Sequence, residues 1–268
     1  MAVPTYHASA HVLRKTKLGE SDLIITLLAE DGSLLRAVAK GARKPGNTFA
    51  SRLELFSRAD LLLAEGKNLD IISEVRLVDA HAGLRADAVR AAAASCAVEL
   101  FALLAQEDLE NDRFSACLEA FLATVERAPE QAIPLLLAAV LLKAVAVAGF
   151  APTVDACILC ARPIPADDAS LVAYSHGEGG PVCDACPAPS DAIRVPVSLL
   201  RWVSALLHTP FSRIATLEGD ANRDVELLRF ADSFIRVHPG AHLKSLTFFL
   251  TVSMALIFPC ETLADGVK

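Results

Sequence analysis

Two cysteine pairs of identical spacing restrict the fold of this chain more than any other feature. Cys157 and Cys160 form one CxxC pair, Cys183 and Cys186 form a second, and 22 residues separate the pairs. The two-residue gap allows both sulfurs of a pair to approach one metal ion, and two pairs supply the ligands of a tetrahedral structural zinc site. We therefore expect one structural Zn²⁺, bound by all four cysteines, to bring the two segments together.

Other interpretations of the cysteines remain open. A thioredoxin-like redox pair is one alternative, although neither CxxC lies in a βαβ pattern, and His176 could replace one thiolate. Four thiolates would leave no position for a water molecule, so the predicted site is structural and not catalytic. The chain has seven cysteines, an odd number that favours metal ligation over a disulfide framework. The other three lie in helical patterns and are predicted to be buried small apolar residues: Cys96, Cys117 and Cys260.

The first 80 residues have the pattern of a small β domain. Hairpin-type connectors that contain Gly or Asn, such as Glu30-Asp31-Gly32, separate the strand-like stretches. Five short strands in this length favour an OB-type barrel, with a generic half-barrel as the alternative. The predicted strands cover about residues 6–15, 22–29, 33–39, 53–64 and 69–78.

Beyond His81 the apolar residues recur at helical spacing. The apolar run 135–150 is interrupted by Lys143 and is shorter than the roughly 20 residues that span a bilayer, which predicts a buried core helix. The N-terminus lacks a signal-peptide pattern, so we expect a cytoplasmic protein that does not contact a membrane. The predicted helices cover residues 82–106, 112–127, 134–148, 197–207, 224–237 and 242–258.

The predicted fold class is therefore α+β. A five-stranded OB-fold barrel in domain 1–80 precedes an all-helical domain, 81–268, in which a zinc knuckle with four cysteine ligands is embedded at residues 153–190.

Positive charge is concentrated near the N-terminus. The whole chain has a net charge of −7, yet residues 1–80 carry +1 and the remainder −8. Between Leu34 and Arg52 there are five basic residues and no acidic one, and glycine and proline place the middle of this run on an exposed loop. A solvated loop is the alternative to a phosphate-binding surface. The candidate DNA-binding residues are Arg14, Lys15, Lys17, Arg36, Lys40, Arg43, Lys44 and Arg52.

The sequence lacks the common catalytic motifs. It contains no Walker loop, no HExxH, no GxSxG, and no GxGxxG before a helix. We therefore expect a binding protein and not an enzyme. Two rival hypotheses are a zinc-stabilised protein scaffold that does not bind nucleic acid and a hydrolase with an unrecognised site.

Several short motifs, in a constant order along nearly the whole chain, resemble the RecO family of recombination mediators. The resemblance is strongest at Ala37 to Pro45, AVAKGARKP, and extends to Gly19 to Leu27, GESDLIITL. The other matching segments are His11 to Arg14, Leu142-Lys143, Gly149 to Pro152 with the first cysteine pair, and Leu243 to Leu246.

This resemblance implies an OB domain, a helical domain with a zinc knuckle, and binding of single- and double-stranded DNA. Such proteins anneal complementary strands and, with RecR and often RecF, load RecA onto strands covered by single-strand-binding protein near the nucleoid. The matched motifs imply DNA contacts from four of the basic residues: Arg14, Lys40, Arg43 and Lys44. The site that some members use for the tail of the single-strand-binding protein is not assigned, because Lys143 is the single basic residue of 135–147.

Overall fold

The computed structural model describes residues 3–165 and 167–258. Its backbone divides into two compact units, Met1–Glu126 and Arg127–Lys268. The first unit contains the barrel together with the helices that follow it, since one of these packs on the first two strands. The domain boundary that the sequence predicts after residue 80 remains a prediction.

A closed five-stranded barrel forms the N-terminal part of the first unit, as predicted for an OB fold. Its strand order is β1-β2-β3-β5-β4, with β4 pairing back to β1. All neighbours are antiparallel except β3 and β5. The strands are β1 (Thr5–Leu18), β2 (Asp22–Ala29), β3 (Leu34–Ala39), β4 (Arg58–Ala64) and β5 (Asp70–Asp79).

Alternating residues of these strands fill the barrel. Ile25 and Leu27 on β2 meet Leu61 and Leu63 on β4 in the interior, and each is at most 1% exposed. The alternation is shifted in β1, where a bulge lies between Val12 and Arg14. A bulge adds one residue to a strand and so reverses which face the following side chains use.

The fourth strand begins later than the sequence pattern predicts. A short helix, α1 (Phe49–Arg52), and a turn precede it, and Phe56 in that turn has a φ of 74°. Leu53 is fully buried and belongs to the barrel core. The apolar residues after Arg52 therefore pack against the barrel from a turn, which explains why their composition resembled that of a strand.

Three helices complete the first unit: α2 (Ala82–Ala86), α3 (Ala88–Leu104) and α4 (Asp112–Val125). The single helix predicted over 82–106 is interrupted at Asp87, whose backbone is extended. The Asp87 carboxylate accepts a hydrogen bond of 2.8 Å from the Arg90 N–H and caps α3. Helix α3 lies against β1 and β2 on the outside of the barrel.

The second unit is built around α5 (Ile133–Val147), which follows a 3-10 turn, Glu130–Ala132. The segment Glu130–Val147 is apolar and long enough to cross a membrane, but 72% of it is buried within the protein. Helices α6, α7 and α8 pack around it, as expected for a core helix. The helical elements that follow the cysteine segment are α6 (Val197–His208), α7 (Phe211–Ile214), α8 (Ala221–Val237), α9 (Lys244–Phe248), a π-helical turn (Phe249–Ser253) and α10 (Met254–Ile257).

Three strands that the sequence analysis does not predict lie within and just after the cysteine segment 153–190. They form a sheet in the order β7-β6-β8, from β6 (Leu171–Ser175), β7 (Gly180–Val182) and β8 (Ile193–Pro196). Strands of three to five residues carry too few alternations to show a period of two. The second part of the chain is therefore helical with a small β insertion.

Candidate functional site

The four predicted metal ligands lie together in the second unit. The Sγ atoms of Cys157, Cys160, Cys183 and Cys186 are all within 4.8 Å of one another. The Cys160 and Cys183 sulfurs are 3.6 Å apart. Metal–sulfur bonds of about 2.3 Å in a tetrahedron place sulfurs about 3.8 Å apart, so the cluster has the dimensions of a metal site.

Backbone hydrogen bonds hold the two CxxC turns in this arrangement. The Ala161 N–H donates to the Cys157 carbonyl over 2.8 Å. The backbone of Ala161 has a φ of 58°, a left-handed conformation that residues with a Cβ atom rarely adopt. In the second turn the Cys186 N–H donates to the Cys183 carbonyl over 3.0 Å. The Ile158 N–H donates to the Pro181 carbonyl and thereby joins the first turn to β7, two residues before Cys183.

The electrostatics of the cluster match a cation site. Backbone N–H groups, first that of Cys183, lower the pKa of Cys157 to about 6, while neighbouring thiols raise the pKa of Cys186 to about 12. The cluster thus favours one thiolate, and hydrogen bonds with the Cys160 and Cys183 thiols oppose ionisation of Cys186. A bound divalent cation would instead favour the thiolate form of its ligands.

The structure also places the other residues considered with the cysteines. The His176 ring packs against Tyr174 and Phe230, with ring centroids 5.1 Å away in each case, and is not part of the sulfur cluster. Cys96 is buried in α3 as predicted, and Cys117 is partly exposed in α4. Cys260 lies outside the described residues.

On the barrel, two of the predicted DNA-binding residues lie on one line across three strands. Arg14 on β1 pairs with Thr26 on β2, and Thr26 pairs with Arg36 on β3. All three side chains point outward. For Arg14 the reason is the bulge after Val12, which turns this side chain away from the interior. Neither arginine side chain has a hydrogen bond or ion pair within residues 3–165 and 167–258.

The basic loop that follows β3 is fastened to the turn between β1 and β2. The Asp22 carboxylate accepts hydrogen bonds of 2.8 Å from the Gly41 N–H and the Ser21 hydroxyl, and these bonds lower its pKa, with further help from Lys44 and Lys40. Arg43 Nη1 donates to the carbonyl oxygens of Gly19 and Glu20, over 3.1 and 2.9 Å. Lys40 and Lys44 are exposed on this fastened loop.

The remaining predicted residues do not form one surface. Lys15 points toward the end of the barrel interior, where its ammonium pairs with Glu54 at 2.9 Å. Arg52 donates to the Val75 carbonyl over 3.0 Å. Lys17 is exposed near the end of β1. Lys15 and Arg52 therefore have structural partners, whereas Lys17 pairs with the buried Leu23 and so lies on the opposite face of β1 from Arg14.

Comparison with known proteins assigns the chain to a family. The profile described as "Recombination protein O N terminal" matches residues 1–81, and "Recombination protein O C terminal" matches residues 85–247. The chain belongs to the RecO family. It is also 36% identical over 207 residues to a protein named DNA repair protein RecO from Bifidobacterium longum subsp. infantis, a match that covers 76% of this chain and 82% of that protein.

Family membership confirms the predicted family and supports a role in DNA repair and recombination. Two motifs most resembled the RecO family, Gly19 to Leu27 and Ala37 to Pro45. The second contains the basic loop, and the first contains the turn to which hydrogen bonds fasten that loop. Lys143, which we considered for a RecO-type peptide site, donates to the Leu207 carbonyl over 2.8 Å and lies over the Phe211 ring.

The sequence analysis missed the neutral residues of the barrel face. Thr16, Ile24 and Thr26 lie beside the two arginines and line a common cavity with them and with Ala102 of α3. Alternation along the predicted strands could have identified the two residues of β2. Ala102 could not be found in this way, because its position depends on how α3 packs against the barrel.

Proposed function

We propose that this RecO-family chain is a non-enzymatic recombination mediator that binds single- and double-stranded DNA on the outer face of β1, β2 and β3. The observation that carries the proposal is the row formed by Arg14, Thr26 and Arg36. Its two guanidinium groups have no partner among the described residues, so they are available to phosphates without losing an existing ion pair.

Lys40 and Lys44, exposed on the fastened loop that follows β3, extend this surface beyond the strands. A loop that is already ordered loses little conformational entropy when it binds, which favours several simultaneous phosphate contacts. Arg43 has two roles. Its guanidinium group fastens the loop to the β1–β2 turn, and its positive charge remains exposed to solvent. Lys15 and Arg52 are weaker candidates, since each would exchange a structural contact for a phosphate.

Neutralising phosphates suggests how such a surface promotes annealing. Two complementary strands repel each other, and a protein that neutralises one strand lowers that repulsion until base pairs form. We further propose that the chain acts in the cytoplasm at the nucleoid, together with RecR, RecF, RecA and single-strand-binding protein. Family membership alone supports these partners.

The cysteine cluster fits Zn²⁺ by ligand type and spacing, and we propose one structural zinc ion. All four positions of a tetrahedron are taken by sulfur, so the ion would stabilise the β insertion and would not activate water.

Salt-dependent DNA binding tests the central proposal. With about four phosphate contacts, the logarithm of the affinity for a single strand should fall with log salt at a slope of about −3, and Arg14→Gln with Arg36→Gln should reduce that slope by about 1.4. A matched control removes the same charge from β5 and α4 through Arg76→Gln with Arg113→Gln and should leave the slope unchanged. If the wild-type protein does not bind DNA even at low salt, the scaffold hypothesis is favoured instead.

A further inference from the structure

A small cavity lies at the proposed DNA-binding face of the barrel and is lined by basic, hydroxyl-bearing and apolar residues. Its volume is about 290 Å³, and it lies between the outer surface of the barrel and helix α3. Each of three adjacent strands contributes two outward residues that are two positions apart. These residues are Arg14 and Thr16 on β1, Ile24 and Thr26 on β2, and Leu34 and Arg36 on β3.

The seventh lining residue is Ala102, near the C-terminal end of α3. Ile24 and Leu34 add apolar surface at opposite ends of the cavity, because the Thr26–Arg36 pair lies between them in the strand register. The two arginines lie on the outer two of the three strands, about 10 Å apart at the backbone as judged from the strand spacing. None of the described residues that line the cavity is acidic.

This combination matches the parts of a nucleotide. A nucleobase is flat and largely apolar on its faces, carries hydrogen-bonding groups on its edge, and is joined to a phosphate with a negative charge. The apolar side chains suit the base face, the two threonine hydroxyls can donate to or accept from its edge, and the arginines suit the flanking phosphates. The volume is at the lower end of the range of small-ligand pockets, which suits about one nucleotide.

The neighbouring cavity has the opposite charge. It is about 650 Å³ and shares Leu34 and Arg36 with the first, but five of its lining residues are acidic, including Glu107, Asp108 and Glu110 of the segment between α3 and α4. Phosphates would be repelled there. A strand bound at Arg36 is therefore expected to continue toward Arg14 and not toward the acidic cavity.

We infer that the cavity between Arg14, Arg36 and Ala102 binds one nucleotide of a single DNA strand, with the base inserted beside Ala102. This inference rests on the proposed DNA-binding function and adds a base-dependent contact to a surface that otherwise recognises phosphates alone. Duplex DNA keeps its bases stacked inside the helix, so the contact favours single strands over double strands.

The test separates contacts to the base from contacts to the phosphate. Ala102→Leu reduces the space in the cavity without changing charge, and Ala116→Leu makes the same change on the exposed face of α4 as a matched control. Binding of each variant is measured by fluorescence anisotropy with labelled oligo-dT and with an abasic oligonucleotide of equal length. The abasic strand keeps the phosphates and lacks every base.

We expect Ala102→Leu to weaken binding of oligo-dT by about fivefold or more, because the leucine side chain takes the space of the base and about 1.4 kcal/mol of lost affinity corresponds to tenfold, and to leave the abasic strand unaffected. Ala116→Leu should change neither. Equal losses for both strands, or no loss for either, would overturn the nucleotide site while leaving DNA binding intact. Failure of the wild-type protein to bind either strand would overturn the proposed function itself.

A second variant keeps the test decisive if Ala102→Leu does not fold. Thr26→Val removes one hydroxyl from the cavity at nearly constant volume and suits a strand. Circular dichroism checks its fold. It should reduce binding of oligo-dT and leave the abasic strand unchanged; an equal effect on both would contradict a base contact.

Discussion

The backbone of Gly32 lies directly against that of Asn111, so that a Cβ atom built on Gly32 would be 1.8 Å from the Asn111 carbonyl oxygen. The Asn111 N–H donates to the Asp31 carbonyl over 2.7 Å at the same place. The β2–β3 hairpin and the start of α4 are thereby held together, and the acidic segment 107–110 is kept beside the barrel.

Replacing Gly32 with alanine should therefore destabilise the first unit strongly. Gly46 is the matched control, because its φ of 82° is nearly the same as the 83° of Gly32, while a Cβ atom on Gly46 would meet no described atom within 4 Å. Gly46→Ala should cost about 1–2 kcal/mol for the left-handed backbone alone. Gly32→Ala should cost clearly more in urea unfolding, and equal costs would show that the hairpin moves away from α4 without penalty.

Loss of one cysteine should affect metal content and stability before DNA affinity. Cys183→Ser removes one of four sulfurs in a cluster where metal binding contributes on the order of 10 kcal/mol. We expect the purified variant to contain less than one equivalent of zinc by mass spectrometry and to unfold at a lower temperature. Cys96→Ser tests a cysteine outside the cluster and should retain the metal; a Cys183→Ser protein with a full equivalent of zinc would contradict the assignment.

The first unit should become less stable in mild acid because of His11. Burial lowers the pKa of His11 to about 4 from its usual 6.5, with the nearby His81 and Arg58 acting in the same direction. The unfolded chain therefore binds a proton as pH falls through 6.5, whereas the folded chain does so only near 4. Between these values the free energy of unfolding should decline by about 3 kcal/mol in total and then level off.

His11→Phe should remove this part of the pH dependence. The ring retains its packing against His81, and the buried Nε2 atom of His11, which has no hydrogen-bond partner within the described residues, is lost. Urea unfolding at pH 7 and pH 5 compares the two proteins. The variant should show the smaller difference between the two pH values, and an unchanged difference would exclude His11 as its source.

Arg43 and Lys44 should differ in what their removal does. Arg43→Ala breaks two hydrogen bonds to the β1–β2 turn and should cost about 1 kcal/mol of stability as well as DNA affinity. Lys44→Ala should leave the unfolding curve in place and reduce the salt slope of binding by about 0.7. Unfolding and salt titrations on both variants distinguish the two roles, and identical unfolding curves would contradict a bracing role for Arg43.

Local patterns in the sequence were sufficient for the order of the elements and for the chemistry of the cysteines. Alternation and turn residues predicted five strands, and the CxxC spacing predicted a cluster that the structure brings within 4.8 Å. Both signals depend on residues that are close together in the chain. The strands β6 to β8 were missed because they are too short to show a pattern.

The tertiary structure alone decided which basic residues share a surface. Alternation in β1 would have placed Arg14 on the same face as the buried Val12, and the bulge between them reverses this. The same shift turns Lys15 toward Glu54. From the sequence alone, Arg14 and Lys15 are equally good candidates for DNA binding. Strand register, the fastening of the basic loop by Asp22 and the position of Ala102 all depend on contacts between distant segments, which no local period in the sequence encodes.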